Sequence, residues 1–389
     1  MHGGLYWFAF PLGHLAVDWA GAAVWLLAPA IAVAMDLSPG EVGLLITIHA
    51  VGASLAYLPA GLLGDHVRRR GLLLAATFWW VALGYLAASW STGYWTLALL
   101  LAMGGLGSAA WHPIATGVLV QQKPTRRAQA LGIHALGGTL AEVLAPLAAG
   151  FLLAILDWRS VLQISILPAI VMGVVFLRIA RTVPQSREHG VSQADLRHLW
   201  DVWRQPAGLR LLAIVITYNM SLMAVLSMTP LFMQTRHAFS AAQAGVLFAV
   251  MLVAGSLLQP LLGRLSDDTG RKMVIVAGVS VAMVSVGAVP LVEHSIGIAL
   301  LLVTATGSLV GVRAAVLAVM VEATGRSEST TLGVAFAIMD GVGAAGALLA
   351  GLAGSVDLRY AFVFAACAAA SCILLTVRGA LVPVADSTI

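Results

Sequence analysis

The chain has 389 residues, of which 60% are hydrophobic and only 10% are charged, and its formal net charge is +4. Soluble domains carry roughly 25% charged residues, so this composition excludes a soluble protein and predicts a polytopic membrane protein. The cations are spread over many short loops. Because the positive-inside rule expects this distribution, the excess of cations does not indicate a nucleic-acid partner.

Twelve apolar segments are each long enough to cross a bilayer, which takes about 20 residues. In chain order they are 6–34, 41–63, 71–89, 95–119, 129–155, 159–180, 208–233, 241–263, 273–292, 296–321, 331–354 and 359–381. The connecting loops are short except for the polar residues 181–207. We therefore predict two six-span bundles, 1–180 and 208–389, joined by a linker over 181–207.

The linker contains a pattern that predicts a short helix lying on the membrane surface. A capping-box-like pair precedes apolar residues at helical spacing. These positions are Ser192, Asp195, Leu196, Leu199, Trp200 and Trp203.

The distribution of Lys and Arg predicts the orientation of the chain. The loops on one side of the membrane hold only Arg159, Arg236 and Arg359, whereas the other loops and the linker hold most of the cations. This bias places both termini and the linker in the cytoplasm. We predict a bacterial inner (plasma) membrane protein in the lipid bilayer, and a monomer, because the fold needs no partner.

A charged hinge follows the second apolar segment of each half. The hinge in the second half is Gly263-Arg-Leu-Ser-Asp267-Asp-Thr-Gly270-Arg271-Lys272, and the hinge in the first is Gly61-Leu-Leu-Gly-Asp65-His-Val-Arg68-Arg69-Arg70. The two aspartates are 202 residues apart (267 minus 65). This recurrence indicates an internal repeat of two similar halves.

The six-plus-six spans, the central linker and the paired hinges resemble the major facilitator superfamily of secondary transporters. The resemblance implies an all-α membrane protein with twelve transmembrane helices in two pseudo-symmetric six-helix bundles. It also implies that the hinges act as a cytoplasmic gate, with the residues Asp65, Arg69, Asp267 and Arg271. Arg68 replaces the second glycine of the motif, so the first turn is expected to differ in shape. The alternative is that the hinges only fix topology.

Three further stretches resemble the fosmidomycin-resistance branch of the superfamily, which comprises proton-driven drug exporters. They are Gly13-His14-Leu-Ala-Val-Asp18, Gly107-Ser108-Ala-Ala-Trp111-His112-Pro113 and Gly137-Gly138-Thr-Leu-Ala-Glu142-Val-Leu-Ala145-Pro146. The last stretch is also similar to an antiporter signature, in which Ala145 and Ala149 replace glycines. Glu142, Arg313 and Asp340 lie outside the branch pattern.

Ionisable side chains in the middle of a span are costly and usually mark function. Eight positions qualify: His14, Asp18, His49, His112, His134, Glu142, Arg313 and Asp340. His14 and Asp18 are spaced i,i+4 and share one helix face. We predict Asp18, His14 and Glu142 as proton carriers. The alternatives are a static His14–Asp18 hydrogen bond and a hydrogen bond from Glu142 to a packed neighbour.

A substrate cavity near the midplane is predicted from polar and aromatic residues of several spans. Its candidate residues are His112, Trp25, Trp111, Tyr218, Asn219, Arg313 and Asp340. Pro113 is expected to break span four locally beside His112, because proline lacks a backbone N–H. Alternatively, His112 stabilises a kink and Arg313 pairs with Asp340. His49 and His134 are interpreted as packing histidines.

The sequence shows no Walker lysine loop, no metal-ligand cluster and no nucleophile elbow. We therefore predict no enzymatic activity, no cofactor and no metal site. The predicted function is proton-coupled export of a small amphipathic or anionic drug-like compound by alternating access. The rival functions are a proton-driven importer of an organic anion or metal chelate, and a non-transporting membrane receptor.

Overall fold

The structure is a computed structural model. It describes residues 3–122, 127–185, 197, 200–324, 328–379 and 381. These residues form fifteen α-helices and no β-strand.

The first half contains helices α1 to α8. In chain order they are α1 (Gly3–Met35), α2 (Pro39–Ser54), α3 (Tyr57–His66), α4 (Arg70–Ser89), α5 (Tyr94–Gln122), α6 (Arg127–Leu152), α7 (Trp158–Ser165) and α8 (Leu167–Ile179).

The second half contains helices α9 to α15. They are α9 (Pro206–Arg236), α10 (Ala241–Thr269), α11 (Arg271–Ala288), α12 (Ser295–Thr324), α13 (Glu328–Gly341), α14 (Ala345–Gly354) and α15 (Arg359–Val377). Two short 3₁₀ turns, Ala180–Thr182 and Val289–Leu291, follow α8 and α11.

Together the helices provide twelve segments that are long and apolar enough to cross a membrane, as the sequence predicts. Nine spans are single helices, and three are built from two consecutive helices each: α2 and α3 form span two, α7 and α8 span six, and α13 and α14 span eleven. In span six the interruption falls at Ile166, just before Leu167 and Pro168. Proline lacks an N–H and suits the first turn of a helix, so α8 begins there.

Span four differs from its prediction at Pro113. The helix α5 runs without interruption from Tyr94 to Gln122 and contains Pro113 in its interior. The predicted local break is therefore wrong. The hydroxyl of Thr116 donates to the carbonyl of His112 at 2.9 Å, so side-chain hydrogen bonding accompanies the proline within a continuous helix.

Span eleven contains a break that the sequence does not show. Gly343 donates its N–H to the carbonyl of Ile338 at 3.0 Å, five residues earlier, instead of to Met339. This step ends the regular helix at Gly341, and α14 begins at Ala345. The carbonyl of Met339 loses its partner within the helix and is available to another span.

The chain divides into two compact units. The first comprises Met1–Ser38, Leu45–Gly190 and Met233–Ala249, and the second comprises Pro39–Leu44, Val191–Phe232 and Val250–Ile389. Residues 186–196, 198 and 199 of the predicted linker lie outside the described residues. Within it, Arg197 and residues 200–203 are helical.

The core of the first unit contains a cluster of buried aromatic rings. Phe10, Phe78, Trp111 and Phe176 are fully buried, and they come from spans one, three, four and six. The ring centroids of Phe78 and Phe176 are 5.1 Å apart, and those of Phe10 and Phe176 are 5.6 Å apart. This cluster fixes the position of Trp111 and of the adjacent His112 on α5.

The two hinges have different backbone shapes, as expected from the replacement of a glycine by Arg68. In the second hinge Gly270 has φ +94°, a left-handed value that favours glycine. In the first hinge the chain leaves α3 in an extended conformation at Val67 (φ −81°, ψ 114°). Arg68 is not among the described non-glycine residues with a positive φ, so a side chain is tolerated at this position.

Candidate functional site

Asp18 of span one is contacted by three polar side chains. His14 Nε2 lies 3.2 Å from Asp18 Oδ2, and His112 Nε2 lies 3.3 Å from Oδ1. The hydroxyl of Ser108 donates to Oδ1 at 2.6 Å. We call His14, Asp18, Ser108 and His112 the Asp18 cluster. It forms because two i,i+4 pairs, one on α1 and one on α5, face each other.

The ring of His14 is held in a defined orientation. Its Nδ1 lies 2.9 Å from the backbone carbonyl oxygen of His134 on span five. A carbonyl can only accept, so Nδ1 carries the proton and donates. On the other side of the ring, a Cβ at Gly138 would lie 2.4 Å from His14 Nε2. Glycine at 138 therefore leaves the space in which Nε2 faces Asp18.

Aromatic rings surround the Asp18 cluster. The rings of His14 and His134 stack at 4.4 Å, and Trp111 stacks on His134 at 5.2 Å. His112 Nδ1 and Trp111 Nε1 are buried without a hydrogen-bond partner in the described part of the chain. The side chains of His14, Asp18 and His112 nevertheless remain 16%, 21% and 23% exposed.

Two of the three predicted proton carriers, His14 and Asp18, belong to the Asp18 cluster. His14 and Asp18 are in contact, and His112, predicted as a cavity residue, joins them. Glu142 has an exposed side chain on α6, and none of the three contacts to Asp18 comes from it. Trp111 is fully buried behind the cluster. Trp25 stacks on Phe248 of span eight at 6.2 Å.

Two side chains of span seven that were predicted to contact the substrate donate hydrogen bonds to backbone carbonyls in this structure. Tyr218 donates its hydroxyl to the carbonyl of Leu309 at 2.6 Å, and Asn219 donates its amide to the carbonyl of Met339 at 2.6 Å. Both side chains are buried. Met339 is the residue whose carbonyl is freed by the break in span eleven. The polar groups therefore join spans seven, ten and eleven in this conformation.

Arg313 of span ten lies beside span eleven. Its guanidinium carbon is 5.9 Å from the ring centroid of Phe336. Phe336 and Asp340 are spaced i,i+4 and share one face of α13. Arg313 therefore lies on the side of span eleven that carries Asp340.

The second hinge contains a network of charged groups. The guanidinium of Arg271 donates to the carboxylate of Asp267, to the hydroxyl of Ser266 at 2.7 Å and to Glu322 at 3.0 Å. Sequence reasoning identified Arg271 and Asp267 but missed Glu322, which comes from the end of span ten.

In the first hinge the buried arginine is Arg70, the neighbour of the predicted gate residue Arg69. Arg69 is exposed, whereas Arg70 is buried at the start of α4. Arg70 Nε donates to the carbonyl of Gly64 at 2.5 Å, and its NH1 donates to Gln121 at 2.8 Å. The side chain of Asp65 lies outside the described residues. Arg70 begins α4 as Arg271 begins α11, so the two helices start one residue apart in the aligned motifs.

Sequence reasoning missed several polar partners. Ser108 and the stacked His134 belong to the surroundings of Asp18, and His49 Nε2 lies 2.7 Å from the hydroxyl oxygen of Tyr85. The i,i+4 spacing of Ser108 and His112 was a signal for the first of these. The expected lack of a metal-ligand cluster also needs correction. Folding brings ligand atoms of His14, Asp18 and His112 within 4.8 Å of one another.

The twelve spans define a multi-pass α-helical membrane protein. The family model of the Major Facilitator Superfamily matches residues 12–345 and 233–387. The chain therefore belongs to the major facilitator superfamily.

Curated relatives carry transporter names. The chain is 27% identical to a probable sugar efflux transporter of Helicobacter acinonychis, over 64% of this chain and 62% of the relative. It is 30% identical to a probable 4-methylmuconolactone transporter of Cupriavidus pinatubonensis, over 39% of this chain and 36% of the relative. The matches thus span less than two thirds of either relative's length.

Solved structures share the fold. A bacterial homologue of the human lysosomal transporter Spinster, in an inward-facing and unoccupied conformation, superposes with a TM-score of 0.82 at 17% identity over 96% of each chain. A D-xylose–proton symporter superposes with a TM-score of 0.77 at 14% identity over 97% of each chain. At these identities the likeness extends to the fold alone.

Proposed function

We propose that this protein is a proton-coupled secondary transporter that exports a small amphipathic or anionic compound by alternating access. The observation that carries the proposal is the Asp18 cluster, in which one carboxylate inside a span meets two imidazoles and a hydroxyl. Ionisable groups at such depth are costly, and they mark proton and substrate pathways in transporters.

The chemistry of the cluster suits a proton exchange. Imidazole changes its charge near neutral pH more readily than any other side chain. A proton shared among Asp18, His14 and His112 changes the net charge of the cluster by one. A carrier whose orientation depends on that charge converts a proton gradient into net movement of cargo. A proton that crosses 100 mV supplies about 2.3 kcal/mol.

Three observations support the direction and the cargo class. Relatives are named as sugar efflux transporters. The stretches around His14, His112 and Glu142 resemble the fosmidomycin-resistance branch of drug exporters, and the branch assignment is part of the proposal. Arg313 in span ten offers a cation to an anionic cargo, and Asp340 lies on the span beside it.

The proposal includes the topology derived from charge. The protein is a monomer of the bacterial inner membrane with both termini in the cytoplasm. Residues 181–207 form a cytoplasmic linker between bundles 1–180 and 208–389. The cytoplasmic gate consists of the two hinges, with Asp267 and Arg271 in the second and Asp65 and Arg69 in the first.

Transport by the purified protein in proteoliposomes tests the proposal. A thermal-shift screen first supplies a binding compound, and an imposed pH gradient then drives its movement. We expect the compound to move against the proton flow. Asp18→Asn should abolish the proton-driven flux while leaving substrate exchange without a gradient. His237→Gln, in the loop that follows α9, should behave as wild type. Unchanged proton-driven flux in Asp18→Asn refutes Asp18 as the coupling residue, flux that ignores the pH gradient in the wild type refutes the coupling, and accumulation in the direction of proton flow refutes export.

A further inference from the structure

We propose that the Asp18 cluster also binds a divalent transition-metal ion of the Zn²⁺, Co²⁺ or Ni²⁺ type. This capacity goes beyond the proposed transport of an organic compound. The ligands are His14 Nε2, Asp18 and His112 Nε2, with the Ser108 hydroxyl or a water molecule in the fourth position.

The distances within the cluster match those around a bound ion. Zn–N and Zn–O bonds are about 2.0–2.2 Å long, so neighbouring ligands on a tetrahedral ion lie about 3.4 Å apart. Asp18 Oδ2 lies 3.2 Å from His14 Nε2, and Asp18 Oδ1 lies 3.3 Å from His112 Nε2, so each imidazole is at ligand spacing from one carboxylate oxygen. All three ligand atoms lie within 4.8 Å of one another. A small inward movement of the two imidazoles completes the shell.

The hydrogen bond made by His14 Nδ1 determines that the lone pair of the neutral ring lies on Nε2, where a cation can bind. Because Nδ1 donates to the carbonyl of His134, the neutral ring carries its lone pair on Nε2. That lone pair faces a carboxylate oxygen at 3.2 Å. Two lone pairs at this distance repel each other unless a proton or a metal ion lies between them. A histidine that donates its second nitrogen to a backbone carbonyl is also the usual arrangement behind a metal ligand.

The donor set selects the type of ion. Two imidazole nitrogens and one carboxylate suit zinc, cobalt and nickel, whereas magnesium and calcium prefer oxygen ligands alone. Gly138 adds to the fit, because any Cβ there would lie 2.4 Å from His14 Nε2 and displace the ligand atom. The partial exposure of the three side chains gives an ion access.

Metal binding to the full-length protein, purified in detergent and stripped with a chelator, tests this proposal. We expect one Co²⁺ per chain, seen as visible d–d absorption, and its displacement by Zn²⁺ but not by Mg²⁺. Asp18→Asn and His112→Gln should each weaken Co²⁺ binding by at least tenfold. The matched control is His49→Gln, which replaces another histidine of the first unit and should bind Co²⁺ as wild type does.

A variant with a different metal ligand tests the site through a new spectroscopic signal, so the test does not depend on a loss of binding. His112→Cys should retain Co²⁺ and add a thiolate charge-transfer band, because the new sulfur ligates the ion directly. No Co²⁺ absorption in wild type, or the same spectrum in wild type, Asp18→Asn and His112→Cys, overturns the proposal.

The experiments distinguish a failure of the metal-site proposal from a failure of the proton-coupling proposal. Intact proton-driven flux in a protein that binds no Co²⁺ refutes the metal site alone. Co²⁺ binding that depends on Asp18, together with flux that ignores the proton gradient, refutes the coupling alone.

Discussion

In each half of the chain, a side chain of the first span donates a hydrogen bond to a backbone carbonyl of the fifth span, but the donor is an imidazole in one half and an amide in the other. In the first half His14 donates to the carbonyl of His134, and in the second half Asn219 donates to the carbonyl of Met339. The partners are 120 residues apart in both cases. The imidazole has a second nitrogen, which faces Asp18. The amide of Asn219 carries no charge at any ordinary pH.

This difference assigns separate tasks to the halves. A shared architectural contact is part of an ionisable cluster in the first half and a neutral, buried link in the second. At this contact, therefore, the first half places ionisable groups and the second half places none. The second half presents the carboxylate of Asp340 and the guanidinium of Arg313 in another place, on spans ten and eleven. Variants that act on the shared contact and on the differing groups should thus have separable effects.

The largest effect is expected where the two halves are alike, at the glycines between the first and fifth spans. A Cβ at Gly137 would lie 1.9 Å from the carbonyl oxygen of Pro11, and a Cβ at Gly346 would lie 2.3 Å from that of Met220. Backbone cannot yield as a flexible side chain can, so Gly137→Ala and Gly346→Ala should each cost about 3 kcal/mol or more. Size-exclusion profiles and thermal unfolding in detergent measure the loss.

Matched controls exist on the same two spans. Gly132 and Gly333 have no atom within 4 Å of an added Cβ. Gly132→Ala and Gly333→Ala should unfold at or slightly above the wild-type temperature, because alanine favours helix. Equal melting temperatures for all four variants would contradict the close approach of the spans in both halves.

The next largest effect on the free energy of unfolding is expected at the first hinge, where two neighbouring arginines should contribute differently. Arg70 is buried against the carbonyl of Gly64 and against Gln121, so Arg70→Gln removes charged hydrogen bonds worth roughly 2 kcal/mol. The neighbouring Arg69 is exposed, and Arg69→Gln should change the free energy of unfolding by less than about 0.5 kcal/mol. Thermal unfolding of the two variants side by side measures the difference. A larger loss for Arg69→Gln would show that the sequence alignment of the hinges identified the structural arginine after all.

A smaller effect is expected at the neutral link of the second half. Asn219→Ala leaves the carbonyl of Met339 without its side-chain donor inside the protein, at a cost of about 1–2 kcal/mol. The pH dependence of transport should remain that of wild type, because no charge is removed. Flux measured across a series of pH values tests this. A shifted pH profile in Asn219→Ala would contradict the division of tasks between the halves.

The fold was largely predictable because apolar length alone decides where a chain crosses the membrane. All twelve spans were found in this way, and the glycine-containing hinge was recognised. Proline alone did not predict where the helices break. Pro113 lies within a continuous helix, whereas span eleven is interrupted at Gly343, where a carbonyl finds a partner on another span.

The site was predictable only where its residues are local in sequence. The i,i+4 pair of His14 and Asp18 follows from helix geometry. The contacts of Asp18 with Ser108 and His112 cross 90 or more residues, and they depend on how α5 lies against α1. For the same reason the sequence showed Tyr218 and Asn219 as polar residues within a span, but not that carbonyls of Leu309 and Met339 accept from them.

The last span of each half begins with Asp-x-Arg, and these two motifs are used differently. Asp157 accepts from the backbone N–H of Arg159 and of Ser160, and Asp357 accepts from that of Arg359. The guanidinium of Arg159 then donates to the carbonyls of Ser89 and Ser91, whereas that of Arg359 folds back onto Asp357. The first half therefore ties span six to the end of span three, and among the described residues of the second half the guanidinium at the same motif bonds only to Asp357.

The smallest effect concerns the cap at Asp157 and depends on pH. Hydrogen bonds from the hydroxyl and the N–H of Ser160 lower the pKa of Asp157 below its ordinary value. A lowered pKa means that the folded state favours the carboxylate. The stabilisation is thus full above the unfolded pKa, near 3.9, and is lost as the pH falls through the folded value. Asp157→Ala should cost on the order of 1 kcal/mol at neutral pH.

Thermal unfolding in detergent between neutral and acidic pH measures this dependence. The difference in unfolding temperature between wild type and Asp157→Ala should decrease as the medium becomes more acidic, because protonation removes the charge that accepts these hydrogen bonds. Ser160→Ala deletes only the 2.8 Å hydroxyl contact and should produce an intermediate gap. A difference in unfolding temperature that stays constant across the pH series would show that the carboxylate contributes only as a neutral acceptor. In that case the charge of Asp157 would not stabilise the start of span six.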